Sequence, residues 1–432
     1  MTAETQKKNY LLPIIVMILL FGMISFVTNL AAPMGVVLKN QFGASNAEGM
    51  LGNLGNFIAY AFMGIPAGLL LKKVGYKKTA LIAVAVGFIG VGIQYLSGGA
   101  GSFLIYLIGA FVAGFSMCML NTVVNPMLNT LGGGGNTGGR LIQTAGTFNS
   151  LCATLVPMLV GMFVADQTKA KITDVYPVMY IAMGIFALAF VILLLVKIPE
   201  PHMEMAKKAV NAVKDKFSAL SFRHFVLGAF GIFVYVGVEV GIPGTMNLFL
   251  ADKSVAGMDA TSAGFVTGTY WFLMLIGRFV GAAIGGKVSS KAMLTVASTL
   301  GMALVLLAIF FPISTKISMP VFQSVGGGLS FGMMEVPINA MFLVLCGLCT
   351  SVMWGGIFNL AVEGLGKYVP SASGIFMTLV CGGGILPLLQ NFIADYTGYM
   401  TSYWVVFAGL FYLLFYALVG CKNVNKNIPV TD

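Results

Sequence analysis

Twelve apolar segments, each long enough to cross a lipid bilayer, follow one another along the 432-residue chain. A membrane-spanning helix needs about 20 apolar residues, and in lipid an unpaired backbone is costly, so each segment is predicted to be an α-helix. The first segment is too long for a signal-peptide core, which is typically about 7–15 residues. The predicted spans are 11–38, 50–71, 79–97, 103–130, 141–165, 175–196, 224–250, 262–286, 292–313, 337–362, 371–394 and 399–420.

Composition excludes a water-soluble fold, because only 9% of the residues are charged and 58% are hydrophobic. A soluble domain carries about 25% charged residues. The linker between Lys197 and Arg223 is the long charged stretch, and it divides the spans equally. We therefore predict an all-α integral membrane protein with six-helix halves at 1–197 and 224–432, joined by a cytoplasmic linker at 198–223. This plan is typical of the major facilitator fold.

Basic residues predict the orientation, since loops on the cytoplasmic side are enriched in Lys and Arg. With the N-terminus inside, 19 basic residues, Arg278 among them, fall on the cytoplasmic side and 5 on the other. Both termini are thus expected in the cytoplasm, with the protein in the bacterial inner membrane. The asymmetry also accounts for the net charge of +10 without nucleic acid as a partner.

Residues 314–336 are Gly-rich and only moderately apolar. A thirteenth span there would invert the following helices and spoil the charge asymmetry. We predict an extended outer loop, with a re-entrant course as the alternative.

Cysteine and histidine do not predict a metal or redox centre. Cys346 and Cys349 form a CxxC inside an apolar helix, without a second pair or a nearby histidine, which favours packing. His202 and His224 lie in or beside the polar linker. We expect no catalytic residues and no cofactor.

Glu239 is the acidic residue that stands out, because it lies deep in an apolar span. It follows Phe225 by 14 residues, or roughly 21 Å of helix. A charge at this depth costs at least about 2.5–3.5 kcal/mol, so it should face a cavity or a partner. A glutamate hydrogen-bonded between packed helices is the alternative.

Polar stripes in the first half predict a hydrated cleft near mid-membrane. Asn121, Asn125 and Asn129 share one helix face, and Gln143 begins a similar stripe in the fifth span. Ser25 and Asn29 lie one turn apart in the first span. Helix–helix hydrogen bonding would explain one such stripe equally well, but three stripes opposite Glu239 favour a cavity.

The cargo that fits this chemistry is a sugar, which presents hydroxyls around an apolar ring face. Amides and a carboxylate suit the hydroxyls, and an aromatic ring suits the face. The candidate binding residues are Asn29, Asn121, Asn125, Gln143, Asn149, Tyr235, Glu239, Asn247, Tyr270, Trp271, Trp354 and Gln390.

Six segments resemble the fucose–galactose–glucose symporter family of the major facilitator superfamily. The most specific of them is GGGILPLLQNFIADYTG at 382–398. The others are MGIPAGLLLKKVGYKK (63–78), NTVVNPMLNTLG (121–132), VYVGVEVGI (234–242), YWFLMLIGRFVG (270–281) and IFNLAVEGLG (357–366). The resemblance covers nearly the whole chain except 314–336, and it implies sugar symport.

The chain also departs from this family. Fucose-transporting members carry proton-linked acids in helices 1 and 4, where this chain has Asn29 and Asn121, which do not titrate. Gly146 stands near the position of the family's helix 5 glutamine, and Lys72 occupies the usual acidic position of the loop between helices 2 and 3. The resemblance therefore leaves Glu239 as the coupling group, for H⁺ or for Na⁺.

These observations predict secondary active uptake of a monosaccharide or small sugar by alternating access, performed by a monomer in the lipid bilayer and coupled to H⁺ or Na⁺. An uncoupled facilitator and a drug or metabolite exporter of the same fold are the alternatives. A membrane sensor would need a signalling domain, and a membrane-embedded enzyme would need a nucleophile–base set or a metal cluster. The sequence offers neither, which disfavours both classes.

Overall fold

The computed structural model describes residues 10–133, 135–163, 171–200, 217–325 and 328–430. Within them, eleven helices are long and apolar enough to cross a membrane. A further helix of 29 residues, α5, lies where the fifth span was predicted. The structure thus confirms the all-α, twelve-helix membrane fold.

The helix bounds agree with the predicted spans to within several residues. The first six are α1 (Leu11–Phe42), α2 (Leu51–Leu71), α3 (Lys73–Ala100), α4 (Phe103–Leu131), α5 (Gly135–Phe163) and α6 (Tyr176–Leu195). The last six are α7 (Arg223–Ala251), α8 (Ala260–Ile284), α9 (Ser290–Phe310), α10 (Ile338–Val362), α11 (Ser371–Thr397) and α12 (Tyr399–Gly420).

Local sequence signals mark several helix ends. Ser102, Asp259 and Ser289 each accept a hydrogen bond from the backbone N–H three residues further on, which caps α4, α8 and α9. Gly43 and Gly101 adopt left-handed conformations at the ends of α1 and α3. The local sequence is therefore enough to specify where these helices begin or end, without contacts to other helices.

Residues 314–336 are not the extended loop that the sequence predicted. Strands β1 (Lys316–Val325) and β2 (Gly328–Pro337) form an antiparallel hairpin. Met319, Val321 and Val336 are buried, and Phe322 packs against Phe272 of α8 with the ring centroids 5.0 Å apart. Met319 and Val321 alternate along β1 and share one face with Val336, whereas Phe322 lies on the opposite face. The Gly-rich composition obscured this alternation.

A reciprocal contact joins the start of α3 to the segment that follows α6. Glu200 accepts hydrogen bonds from the backbone N–H groups of Tyr76 and Lys77, at 2.7 and 3.0 Å. The Lys77 ammonium in turn donates to the carbonyl oxygens of Leu194 and Val196, at 2.9 and 2.8 Å. An acid from a distant segment thus satisfies backbone N–H groups near the start of α3.

Candidate functional site

A cleft of about 770 Å³, including the part open to solvent, lies between helices from before and after the linker. In ligand sites, a few polar groups among apolar ones fix the orientation of the ligand. Helices α1, α2, α4 and α5 line the cleft on one side, and α7, α8, α10 and α11 on the other.

Seven of the twelve candidate residues line this cleft: Asn29, Asn121, Gln143, Asn149, Glu239, Trp271 and Trp354. They come from α1, α4, α5, α7, α8 and α10, so residues far apart in sequence meet around one space. The structure therefore brings amides, one carboxylate and two indole rings together.

Three other candidates lie behind this lining. Asn125 is buried, and its amide nitrogen donates to the backbone and side-chain oxygens of Asn121, at 3.0 and 3.2 Å. The Tyr270 hydroxyl donates to the carbonyl oxygen of Glu239 at 3.2 Å. Tyr235 is buried, with its ring 6.2 Å from that of Trp354. These residues can position the lining, but they are not among the residues that form it.

The remaining two candidates lie elsewhere in the half that follows the linker. Asn247, near the end of α7, has its side-chain oxygen 3.4 Å from the hydroxyl of Thr267, which donates to it. Gln390 is buried in α11, with its side-chain oxygen against Gly241. Neither lines the cleft.

The position of Arg278 differs from the one predicted from the sequence. It was counted among the cytoplasmic loop residues, but it lies inside α8, only 7% exposed, and lines the cleft. Without Arg278 the predicted split of basic residues is 18 to 5. The signal was present in the sequence, because apolar residues flank this arginine on both sides, and an arginine in such a stretch marks a functional site by default.

The Arg278 guanidinium joins helices from the two sides of the cleft. Its Nη2 donates to Oε1 of Glu239 on α7 at 3.1 Å. Its Nη1 donates to the carbonyl oxygen of Gly146 at 2.9 Å and to Oδ1 of Asn149 at 3.1 Å, both on α5. The Asn149 amide nitrogen donates to the carbonyl oxygen of Phe21 on α1 at 2.8 Å, so the network extends to one further helix.

Asn121 and Asn29 make further polar contacts around the lining. The amide nitrogen of Asn121 donates to the hydroxyl of Tyr60 on α2, at 2.9 Å. The amide nitrogen of Asn29 donates to the backbone and side-chain oxygens of Ser25, at 2.9 and 3.1 Å. Tyr60 was not predicted, because nothing in the sequence of α2 distinguishes it from a packing residue. Asn29 and Asn121 thus each place a neutral amide at the cleft.

Two tryptophans provide flat apolar surfaces beside these polar groups. Trp271 packs edge-on against Tyr270, with ring centroids 5.2 Å apart. Trp354 is held between Tyr235 and Phe376, at 6.2 and 6.1 Å. Aromatic neighbours restrict the rotation of both indoles, so each can present a fixed face to a ligand ring.

Comparisons with known proteins identify the family of the chain. The family model described as Major Facilitator Superfamily matches residues 14–386. A glucose/galactose transporter of Brucella abortus (strain 9-941) is 30% identical over 429 residues, covering 98% of this chain and 97% of the relative. The L-fucose-proton symporter of Escherichia coli (strain K12) is 22% identical, covering 91% of this chain and 89% of the relative.

A solved structure shares the fold. The crystal structure of the transporter FucP in the outward conformation matches with a TM-score of 0.69 and 19% identity, covering 94% of this chain and 98% of that chain. At this identity the likeness shows the fold alone.

Proposed function

The chain belongs to the major facilitator superfamily, and from this premise we propose that it takes up a monosaccharide across the bacterial inner membrane by alternating access. The observation that carries the proposal is the cleft, where amides, a carboxylate–guanidinium pair and two tryptophans face one space. Relatives along nearly the whole chain are named as glucose/galactose transporters, which supports glucose or galactose as the first cargo to test.

Each kind of lining group has a role toward a sugar. Asn121 and Gln143 offer donors and acceptors to hydroxyls without a fixed charge. Glu239 accepts from hydroxyls and Arg278 donates to them, and charge-assisted bonds are the stronger ones. One indole ring, of Trp271 or of Trp354, covers the apolar face of the sugar.

The transport cycle rests on two moving halves. We assign residues 1–197 and 224–432 to these halves, with 198–223 as a cytoplasmic linker, of which 201–216 lie outside the described residues. Both termini are cytoplasmic, the hairpin β1–β2 faces the periplasm, and a monomer suffices. Maleimide labelling of Lys316→Cys from outside, but not of Lys422→Cys, tests this orientation.

Coupling to H⁺ or Na⁺ is assigned to Glu239, the carboxyl group of the cleft lining. One observation favours a second candidate, an uncoupled facilitator: Asn29 and Asn121 cannot titrate, and Arg278 already neutralises Glu239. An exporter of cationic drugs is less well supported, since such a site would favour several acids over amides.

Counterflow in proteoliposomes tests the function. Vesicles preloaded with glucose, galactose or fucose should take up the labelled sugar from outside, and wild-type uptake against a concentration difference should require an imposed H⁺ or Na⁺ gradient. Exchange that no gradient stimulates would identify a facilitator. Absence of counterflow with every sugar of the panel would contradict sugar transport.

A further inference from the structure

Arg278 divides its hydrogen bonds between the two halves assigned above. Glu239 belongs to the same half as Arg278, whereas Gly146 and Asn149 belong to the other. The two side chains of the ion pair are 9% and 13% exposed, so water competes little for these bonds. The guanidinium is therefore anchored in one half and attached to the other by two bonds from a single nitrogen.

Gly146 makes the attachment sterically feasible. A Cβ at this position would lie 3.3 Å from Cδ of Arg278, closer than an ordinary van der Waals contact. The absent side chain lets the arginine pass close along α5 and reach the Gly146 carbonyl.

We propose that Arg278 is the positioning residue that holds α5 against α8 and releases it during the transport cycle. The proposal rests on alternating access, in which the halves rock against each other. Bonds within one half persist through this motion, while bonds between halves break wherever the helices separate. Because Glu239 and the α5 acceptors share one guanidinium, an ion or sugar bound at Glu239 changes how firmly Arg278 holds α5.

The geometry requires arginine rather than lysine. A guanidinium has separate nitrogens that donate in different directions, so it reaches Glu239 and α5 at the same time. An ammonium is a single point of charge on a flexible stem. Arg278→Lys should keep the charge next to Glu239 and lose the attachment to α5.

Distance measurements between spin labels test the proposal without any sugar. Helices α5 and α8 run antiparallel, because successive spans alternate in direction. The start of α5 therefore lies at the same membrane face as the end of α8. Arg140 and Lys287 are exposed near these ends. Spin labels are attached at Arg140→Cys and Lys287→Cys, with the half-buried Cys152 and Cys421 replaced by Ser. Double electron–electron resonance then measures the distance between the two helices.

The variants have different expected outcomes. Arg278→Lys and Asn149→Ala should both shift the distance distribution to longer values. Adding Asn149→Ala to Arg278→Lys should change little, because the bond that Asn149→Ala removes is one of the two that Arg278→Lys removes. Glu239→Gln should not lengthen the distance, since the guanidinium keeps its acceptors on α5. Thr147→Ala is the matched control on α5, because the Thr147 hydroxyl donates within its own helix, to the carbonyl oxygen of Gln143.

Unchanged distributions in both Arg278→Lys and Asn149→Ala would overturn the proposal. An equal lengthening in Glu239→Gln or Thr147→Ala would also overturn it, because it would indicate general loosening of the helices. Asn149→Ala keeps the test decisive if Arg278→Lys does not fold. Failure of sugar counterflow would contradict the proposed function and leave these distances unaffected.

Discussion

Nη2 of Arg278 lies 3.1 Å from Oε1 of Glu239 inside the helix bundle, and both side chains are largely buried. Each charge alone would be costly at this depth in a membrane, and each makes the other tolerable. Removing one partner of a buried pair typically costs about 3–5 kcal/mol, because the other charge remains uncompensated. Variants of either residue therefore need a check of folding before transport is interpreted.

Asn121 and Asn125 lie one turn apart on α4 and should respond differently to substitution. Asn121→Ala removes a cleft-lining amide and the partner of the Tyr60 hydroxyl. The bound sugar would then lose its hydrogen bond to this amide. Leaving a buried polar group without its partner costs about 1–3 kcal/mol, so sugar affinity should fall about tenfold or more. Asn125→Ala, behind the lining, should change affinity by less than about threefold. Equal losses in titration calorimetry would contradict this assignment.

The three tryptophans of the chain allow an optical test of the cleft. Trp271 and Trp354 line it, whereas Trp404 is 43% exposed and packs against Phe310 and Phe407. Sugar should change the fluorescence of Trp404→Phe, which keeps both cleft residues. The double variant Trp271→Phe, Trp354→Phe should give no such change. A response carried by Trp404 alone would place the sugar elsewhere.

Gly75 should be intolerant of a side chain. Its φ of +86° is a left-handed conformation, and a Cβ would lie 2.5 Å from the Glu200 carboxylate. Gly75→Ala strains the backbone, at a cost of about 1–3 kcal/mol, and displaces the cap of α3. The thermal unfolding midpoint in detergent should fall. Gly92→Ala, in the same helix and with nothing within 4 Å, is the control. Equal midpoints for the two variants would show that the Glu200 contact is dispensable.

The sequence predicted the fold because each span is specified by its own run of apolar residues. Other features depend on contacts between distant segments, which local patterns do not contain. Glu200 caps α3 from beyond α6, and Tyr60 reaches Asn121 from a neighbouring helix. Helical spacing placed Asn125 on the same face as Asn121, but it could not show that the face turns away from the cleft within one turn. Arg278 was missed because nearness to a span end was taken as a loop position.

Glu239→Gln tests the central claim, that sugar and ion act on each other through the carboxylate of this cleft. The substitution keeps the shape of the side chain and removes its charge. Coupling is reciprocal, so a group that links the two ligands is needed for accumulation and not for exchange. In proteoliposomes, Glu239→Gln should retain counterflow of the sugar and lose the gradient-driven accumulation that the wild type shows. Accumulation that persists under the same gradient would contradict the account.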